Sequence, residues 1–236
     1  MAHKADFISF ASAAAMAARL ADMIEAQLAR AIAERGAASF AVSGGSTPAG
    51  LYKALSARTL DWSRVTAVLV DERWVAPGEE GSNETFIRET LMQNQAAGLN
   101  LVGLWSDTPT PAQGLATAAA RLEGMSRPFD AVVLGMGPDG HTASWFPYAD
   151  GLDGALHSEK SLCAVIAQQS NVTGKHVRRM TLTLDAVKSA RFLALMIAGE
   201  EKRNAYFKAL EDGPVEAMPV RAILKARPDL WTVWAP

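Results

Sequence analysis

Ser39-Phe40-Ala41-Val42-Ser43-Gly44-Gly45-Ser46-Thr47-Pro48 is a short apolar run that stops at two glycines and opens a helix at a proline. A buried-type strand breaking directly into a helix is half of a βα unit. The same alternation recurs on both sides of it. Apolar runs at 7–10, 65–70, 129–134, 162–167, 180–184, 192–197 and 230–234 read as strands, with a weaker one at 101–105. Helical spacing marks residues 12–34, where Met16, Leu20, Met23, Ile24 and Leu28 share a face, and also 48–57, 110–123 and 200–210. Ser82 is placed to cap a further helix running to about Met92. The pattern predicts an α/β protein with a mostly parallel sheet flanked by helices. No repeat, low-complexity tract or linker divides residues 1–236, so one domain is expected, with 147–160 as an irregular surface loop.

Composition narrows the function. The chain of 236 residues is 49% hydrophobic and 20% charged, with 23 basic against 25 acidic residues and a formal net charge of −2. No block of like charge offers a nucleic-acid surface or an anionic-membrane surface. The single cysteine, Cys163, rules out an intrachain disulfide and a cysteine-based zinc site, and is expected as a buried strand residue. The N-terminal residues show no apolar segment of the secretory kind, and the alanine-rich stretch 11–20 carries Arg19, so the expected location is the cytoplasm.

Three strand-terminal loops hold unusual residue sets, and in open α/β sheets ligands bind at the carboxyl ends of strands. In the first, Gly44 and Gly45 let a ligand approach the backbone, the following helix start offers N–H groups to an anion, and Ser46 and Thr47 add hydroxyls. No Lys-Ser/Thr pair follows, so it is not a P-loop, and Pro48 excludes a nucleophile elbow. The plain alternative is a tight turn with a helix cap. The second, Asp71-Glu72-Arg73-Trp74, sets three charges directly after a buried strand. Arg73 suits a phosphate and Asp71 a sugar hydroxyl; an internal ion pair at the sheet rim is the other reading.

The third is Gly135-Met136-Gly137-Pro138-Asp139-Gly140-His141-Thr142. It satisfies G-x-G-x-x-G formally, but Pro138 within it and Pro147 soon after weaken a dinucleotide reading. What remains is a turn presenting Asp139 beside His141, a base whose unperturbed pKa of about 6.5 suits proton removal near neutrality. His3, His157 and His176 sit in no comparable context and are expected at the surface; no His-x-x-x-His spacing suggests a metal.

Together these segments, with Ala143-Ser144-Trp145-Phe146-Pro147, Arg179-Met180-Thr181-Leu182-Thr183 and Gly199-Glu200-Glu201-Lys202, resemble the 6-phosphogluconolactonase family in order and spacing from about Phe7 to Trp234. The resemblance implies a modified Rossmann-like fold shared with glucosamine-6-phosphate isomerases. It implies hydrolysis of 6-phosphoglucono-1,5-lactone in the oxidative pentose phosphate pathway, without metal or organic cofactor. On it, Gly44, Gly45, Ser46, Thr47, Asp71, Arg73, Arg179 and Lys202 bind the phosphorylated sugar. His141 activates water, Asp139 orients its ring, and backbone N–H groups of the glycine loop are candidates for the oxyanion. Isomerase relatives continue their histidine motif with Phe-Asn-Glu and carry a tyrosine where Arg73 stands; this chain has neither feature. A sugar-phosphate-sensing domain without turnover is a third reading, though no DNA-binding segment accompanies it. Oligomeric state is not encoded in any visible pattern.

Overall fold

The computed structural model describes residues 7–236, so His3 lies outside the described residues. In chain order the first half comprises β1 (Phe7–Ser9), α1 (Ala13–Arg35), β2 (Ala38–Val42), α2 (Ala49–Ser56), β3 (Val65–Leu69), β4 (Asp71–Arg73), α3 (Asn83–Thr90) and β5 (Asn100–Val102). There follow α4 (Pro111–Leu122), β6 (Ala131–Gly135), α5 (Leu152–His157), β7 (Leu162–Ile166), β8 (Arg178–Leu182) and α6 (Leu184–Lys188). The chain closes with β9 (Leu193–Ala198), α7 (Glu200–Leu210), α8 (Val220–Ala226) and β10 (Trp231–Ala235).

Seven strands form one parallel sheet in the order β1-β10-β9-β6-β2-β3-β5. From β2 the chain moves outward through β3 to β5, then crosses back to place β6 on the other side of β2. The loops after β2 and β6 therefore leave the sheet in opposite directions, and the gap between them is a topological switch point. All five residues of β2 are buried, as a strand covered on both faces requires. The capped α1, with Ser12 Oγ accepting from Ala15 N, lays Met16, Leu20, Ile24 and Leu28 on the core. At the opposite end of the central strands Asp130 holds Ser39 N at 2.9 Å and pairs with Arg35, fixing how β2 meets β6. Among the described residues no helix is long and apolar enough to cross a membrane.

A second, antiparallel sheet, β4-β8-β7, departs from the sequence expectation. Asp71-Glu72-Arg73 is not a loop but a strand paired with Thr181-Met180-Arg179, which satisfies the backbone of a charged segment next to the core. The stretch 147–160 is not wholly irregular: α5 lies within it, burying Leu152, Ala155 and Leu156, a helical pattern masked by glycines and Asp153. The strand expected to 184 stops at Leu182, because Thr183 caps α6. The expected strand at 101–105 shortens to β5, an edge strand paired only with β3. Cys163 sits on β7 as expected but half-buried, its thiol facing the Gly151 carbonyl at 3.4 Å.

Candidate active site

Pro48 stands one position before the helix expected to start on it, as the N-cap of α2. The first turn of that helix leaves N–H groups without intrahelical acceptors, and Ser43 to Thr47 curve in front of them. Ser43 Oγ donates to Val133 O on β6 at 2.7 Å, and Tyr52 Oη donates to Ser43 O at 2.7 Å. Burial holds the Tyr52 phenol well above its usual range, so it stays a neutral donor. Glycine is required twice. Gly45 has φ 91°, and a Cβ on Gly44 would land on the Asn83 carboxamide.

Asn83 was invisible to sequence reading, because only the fold brings the start of α3 against the loop after β2. It is locked by Nδ2 donating to Asp71 O at 2.8 Å and by its own N–H donating to Glu72 at 2.7 Å. Glu72 also accepts from Glu84 N, Arg73 N and Ser82 Oγ, while Ser82 caps α3 by accepting from Thr85 N. Burial pushes the Glu72 carboxyl up to about 7, against the pull of three backbone N–H groups. Glu72 is thus a structural anchor inside the charged triplet.

Asp71 accepts from Ser144 Oγ at 2.6 Å and faces Arg179 Nη1 at 3.8 Å, so the ion pair foreseen at the sheet rim exists. Arg179, only 4% exposed, spends Nε on His176 O and Nη2 on Thr173 O. Burial lowers its pKa to about 10, with Asp71 opposing, so it remains a cation at neutral pH. Arg73 donates Nη1 to Gly81 O at 2.6 Å, while its Nε is buried without a partner among the described residues. Lys202, on the first turn of α7, is held below the usual lysine range by burial, with Glu201 opposing. His157 is exposed on α5. His176, expected at the surface, is only partly so: its Nε2 is covered beside Gly81, with no hydrogen-bond partner among the described residues.

The loop after β6 folds on itself. Gly137 N donates to His141 O and Gly140 N to Gly137 O, both at 3.0 Å, so these two N–H groups are engaged within the turn. The turn brings His141 Nδ1 to 2.6 Å from Asp139 Oδ1, whose same oxygen also accepts His141 N. Burial alone would raise Asp139, but the hydrogen bond and charge of His141 outweigh it and hold the carboxyl below the ordinary range. An ionised Asp139 accepts only, which puts hydrogen on Nδ1 and leaves Nε2 as the free acceptor.

These groups surround one cavity of about 260 Å³. Gly44, Gly45, Ser46, Thr47, Asp71, Arg73, His141, Arg179 and Lys202 all line it; Asp139 stands behind the imidazole instead. Met136 of the third loop joins the wall, as do Asn83 and Val172, which no sequence signal nominates. Among the described residues no group of three His, Cys, Asp or Glu side chains is placed to hold a metal ion.

A glycine-rich loop before a helix start and a carboxylate-held imidazole, side by side at a switch point, define an α/β protein with a small-molecule site of cationic and proton-accepting groups. The chain belongs to the family described as glucosamine-6-phosphate isomerases/6-phosphogluconolactonase, whose model matches residues 11–234. It is 41% identical to a 6-phosphogluconolactonase of Rhizobium meliloti over 96% of this chain and 97% of that one. A 6-phosphogluconolactonase of Mesorhizobium japonicum is 42% identical over 95% and 91% of the two chains. The crystal structure of a 6-phosphogluconolactonase from Shewanella baltica superposes with a TM-score of 0.93 at 41% identity, covering all of both chains.

Proposed function

We propose that the protein is a 6-phosphogluconolactonase, hydrolysing 6-phospho-D-glucono-1,5-lactone to 6-phospho-D-gluconate in the oxidative pentose phosphate pathway, with His141 as the base. The observation that carries this reading is the 2.6 Å contact between His141 Nδ1 and Asp139, at the wall of a cavity that Gly44, Gly45, Ser46 and Thr47 also line. Relatives covering nearly the full chain bear the same name.

The phosphate sits at the start of α2 against Ser46 and Thr47, gripped by Arg73 and Lys202. Arg179 contributes charge from behind, since Asp71 and the loop carbonyls already occupy much of its donor fork. Holding the phosphate fixes the lactone carbonyl near the imidazole, so positioning supplies part of the rate. His141 Nε2 takes a proton from water as its oxygen attacks the carbonyl carbon. The tetrahedral intermediate then expels the ring oxygen, which takes the proton back from Nε2 to become a hydroxyl. Asp139 stabilises the imidazolium between the two transfers. An isomerase of amino sugars reads less well here, because the side chain stacked on the imidazole is Phe146, not a carboxylate.

The test is His141→Ala, with folding checked by circular dichroism. Acid release from freshly prepared lactone is expected to fall by about 10²–10⁴-fold while binding of 6-phosphogluconate persists. A rate equal to the parent's removes His141 from the mechanism. Ammonia release from glucosamine 6-phosphate by the parent would transfer the protein to the isomerases.

A further inference from the structure

His141 is gripped from more than one direction. Gly137 passes so close that a Cβ there would land on the imidazole, and the Phe146 ring stacks on it with centroids 4.3 Å apart and planes 28° apart. The guanidinium carbon of Arg179 stands 5.2 Å from the centroid of the same phenyl ring. Phe146 is itself immobilised: it is 4% exposed, and the fully buried Trp145 beside it donates its indole N–H to Leu182 O at 2.9 Å.

We propose that Phe146 is a positioning residue for the reaction: its π face holds the plane of the His141 imidazole and stabilises the imidazolium formed when the ring takes a proton from water. The inference rests on the reading of His141 as the base. Arg179 from β8, Lys202 from α7 and Arg73 from β4 all face the same cavity, and each opposes a further positive charge on the imidazole. Against them stand Asp139 at Nδ1 of the ring, Asp71 on the cavity wall in its pairing with Arg179, and the quadrupole of Phe146 stacked on the imidazole. A leucine would fill similar space without that quadrupole. Sequence reading gives Phe146 no such role, because a buried aromatic in a motif looks like core.

The experiment compares Phe146→Leu and Phe146→Tyr with the parent in the whole protein, thermal melts confirming folding. Two quantities are read: the His141 titration midpoint, by NMR of its Cε1–H without substrate, and the pH profile of kcat and KM for lactone hydrolysis. Phe146→Leu is expected to lower the His141 midpoint by about half a pH unit and kcat about three- to tenfold, with KM within about threefold. The acid limb of kcat/KM should move down with the midpoint, and Phe146→Tyr should keep the parent's titration. A parent-like midpoint in Phe146→Leu, or an equal fall in Phe146→Tyr, overturns the role of the ring. If the parent itself leaves the lactone intact, the lactonase reading fails instead, which the substrate-free titration keeps distinct.

Discussion

Gly44 and Gly45 are neighbours in one loop, yet they are glycine for different reasons. At Gly44 space is the constraint, since a Cβ would land on the Asn83 carboxamide, which is pinned to Asp71 O. At Gly45 none of the described residues lies within 4 Å of a Cβ, but φ 91° is a backbone conformation that L side chains rarely adopt. Gly44→Ala is therefore expected to push Asn83 off its hydrogen bond, costing about 1–3 kcal/mol and distorting the cavity wall. Gly45→Ala should cost about 1–3 kcal/mol through the backbone alone, leaving the Asn83 contact in place. Urea unfolding, together with the NMR shift of the Asn83 side-chain amide, separates the two. An unmoved amide in Gly44→Ala would refute the steric argument.

Glu72 works at the scale of an element, because its carboxylate gathers the N–H groups of Asn83 and Glu84 and so ties β4 to the start of α3. Its folded pKa is raised from 4.5 to about 7 by burial, so the folded state binds this proton more tightly than the unfolded chain does. The stability it contributes is complete below about 4.5 and is lost as pH rises through 7, a span worth roughly 3 kcal/mol. In Glu72→Gln that dependence vanishes. The parent's advantage over the variant, measured by denaturant unfolding, is expected to be larger at pH 5 than at pH 8; a pH-independent difference would contradict it. Nothing in the sequence separates Glu72 from Asp71 and Arg73, since alternation in a three-residue strand is too short to show which side chain points inward. Most of the parallel strands, by contrast, were legible as predominantly apolar runs, β5 least so, and α1 because it keeps its period over 23 residues. The loops after β2 and β6 were legible through their glycines and through His141. Asn83 gave no signal, and Ser144 and Phe146 only as members of a motif, as each acquires its role from a partner distant in sequence or from an aromatic contact that resembles ordinary packing.

At the scale of the whole molecule the charge is nearly balanced, yet the cavity gathers three cations while two nearby carboxylates are already engaged, Asp71 with Arg179 and Asp139 with His141. A net charge of −2 hides this, because counting along the chain averages over a fold that brings β4, β8 and α7 to one rim. The excess positive charge makes the folded state a better anion binder than the unfolded chain, so binding must appear as stability. With 6-phosphogluconate at about a hundred times its Kd the gain is roughly 2.7 kcal/mol, which for a chain of this size raises Tm by about 5–10 °C. Arg73→Ala should lose most of that increment at the same ligand concentration, whereas His141→Ala should keep it, because in the proposed pose the imidazole meets the lactone carbon and not the phosphate. Gluconate without its phosphate is the decisive control in the same melting experiment. Were it to raise Tm as far as the phosphorylated acid, the cations on this rim would not be reading a phosphate, and the orientation of the lactone toward His141 would have to be reversed.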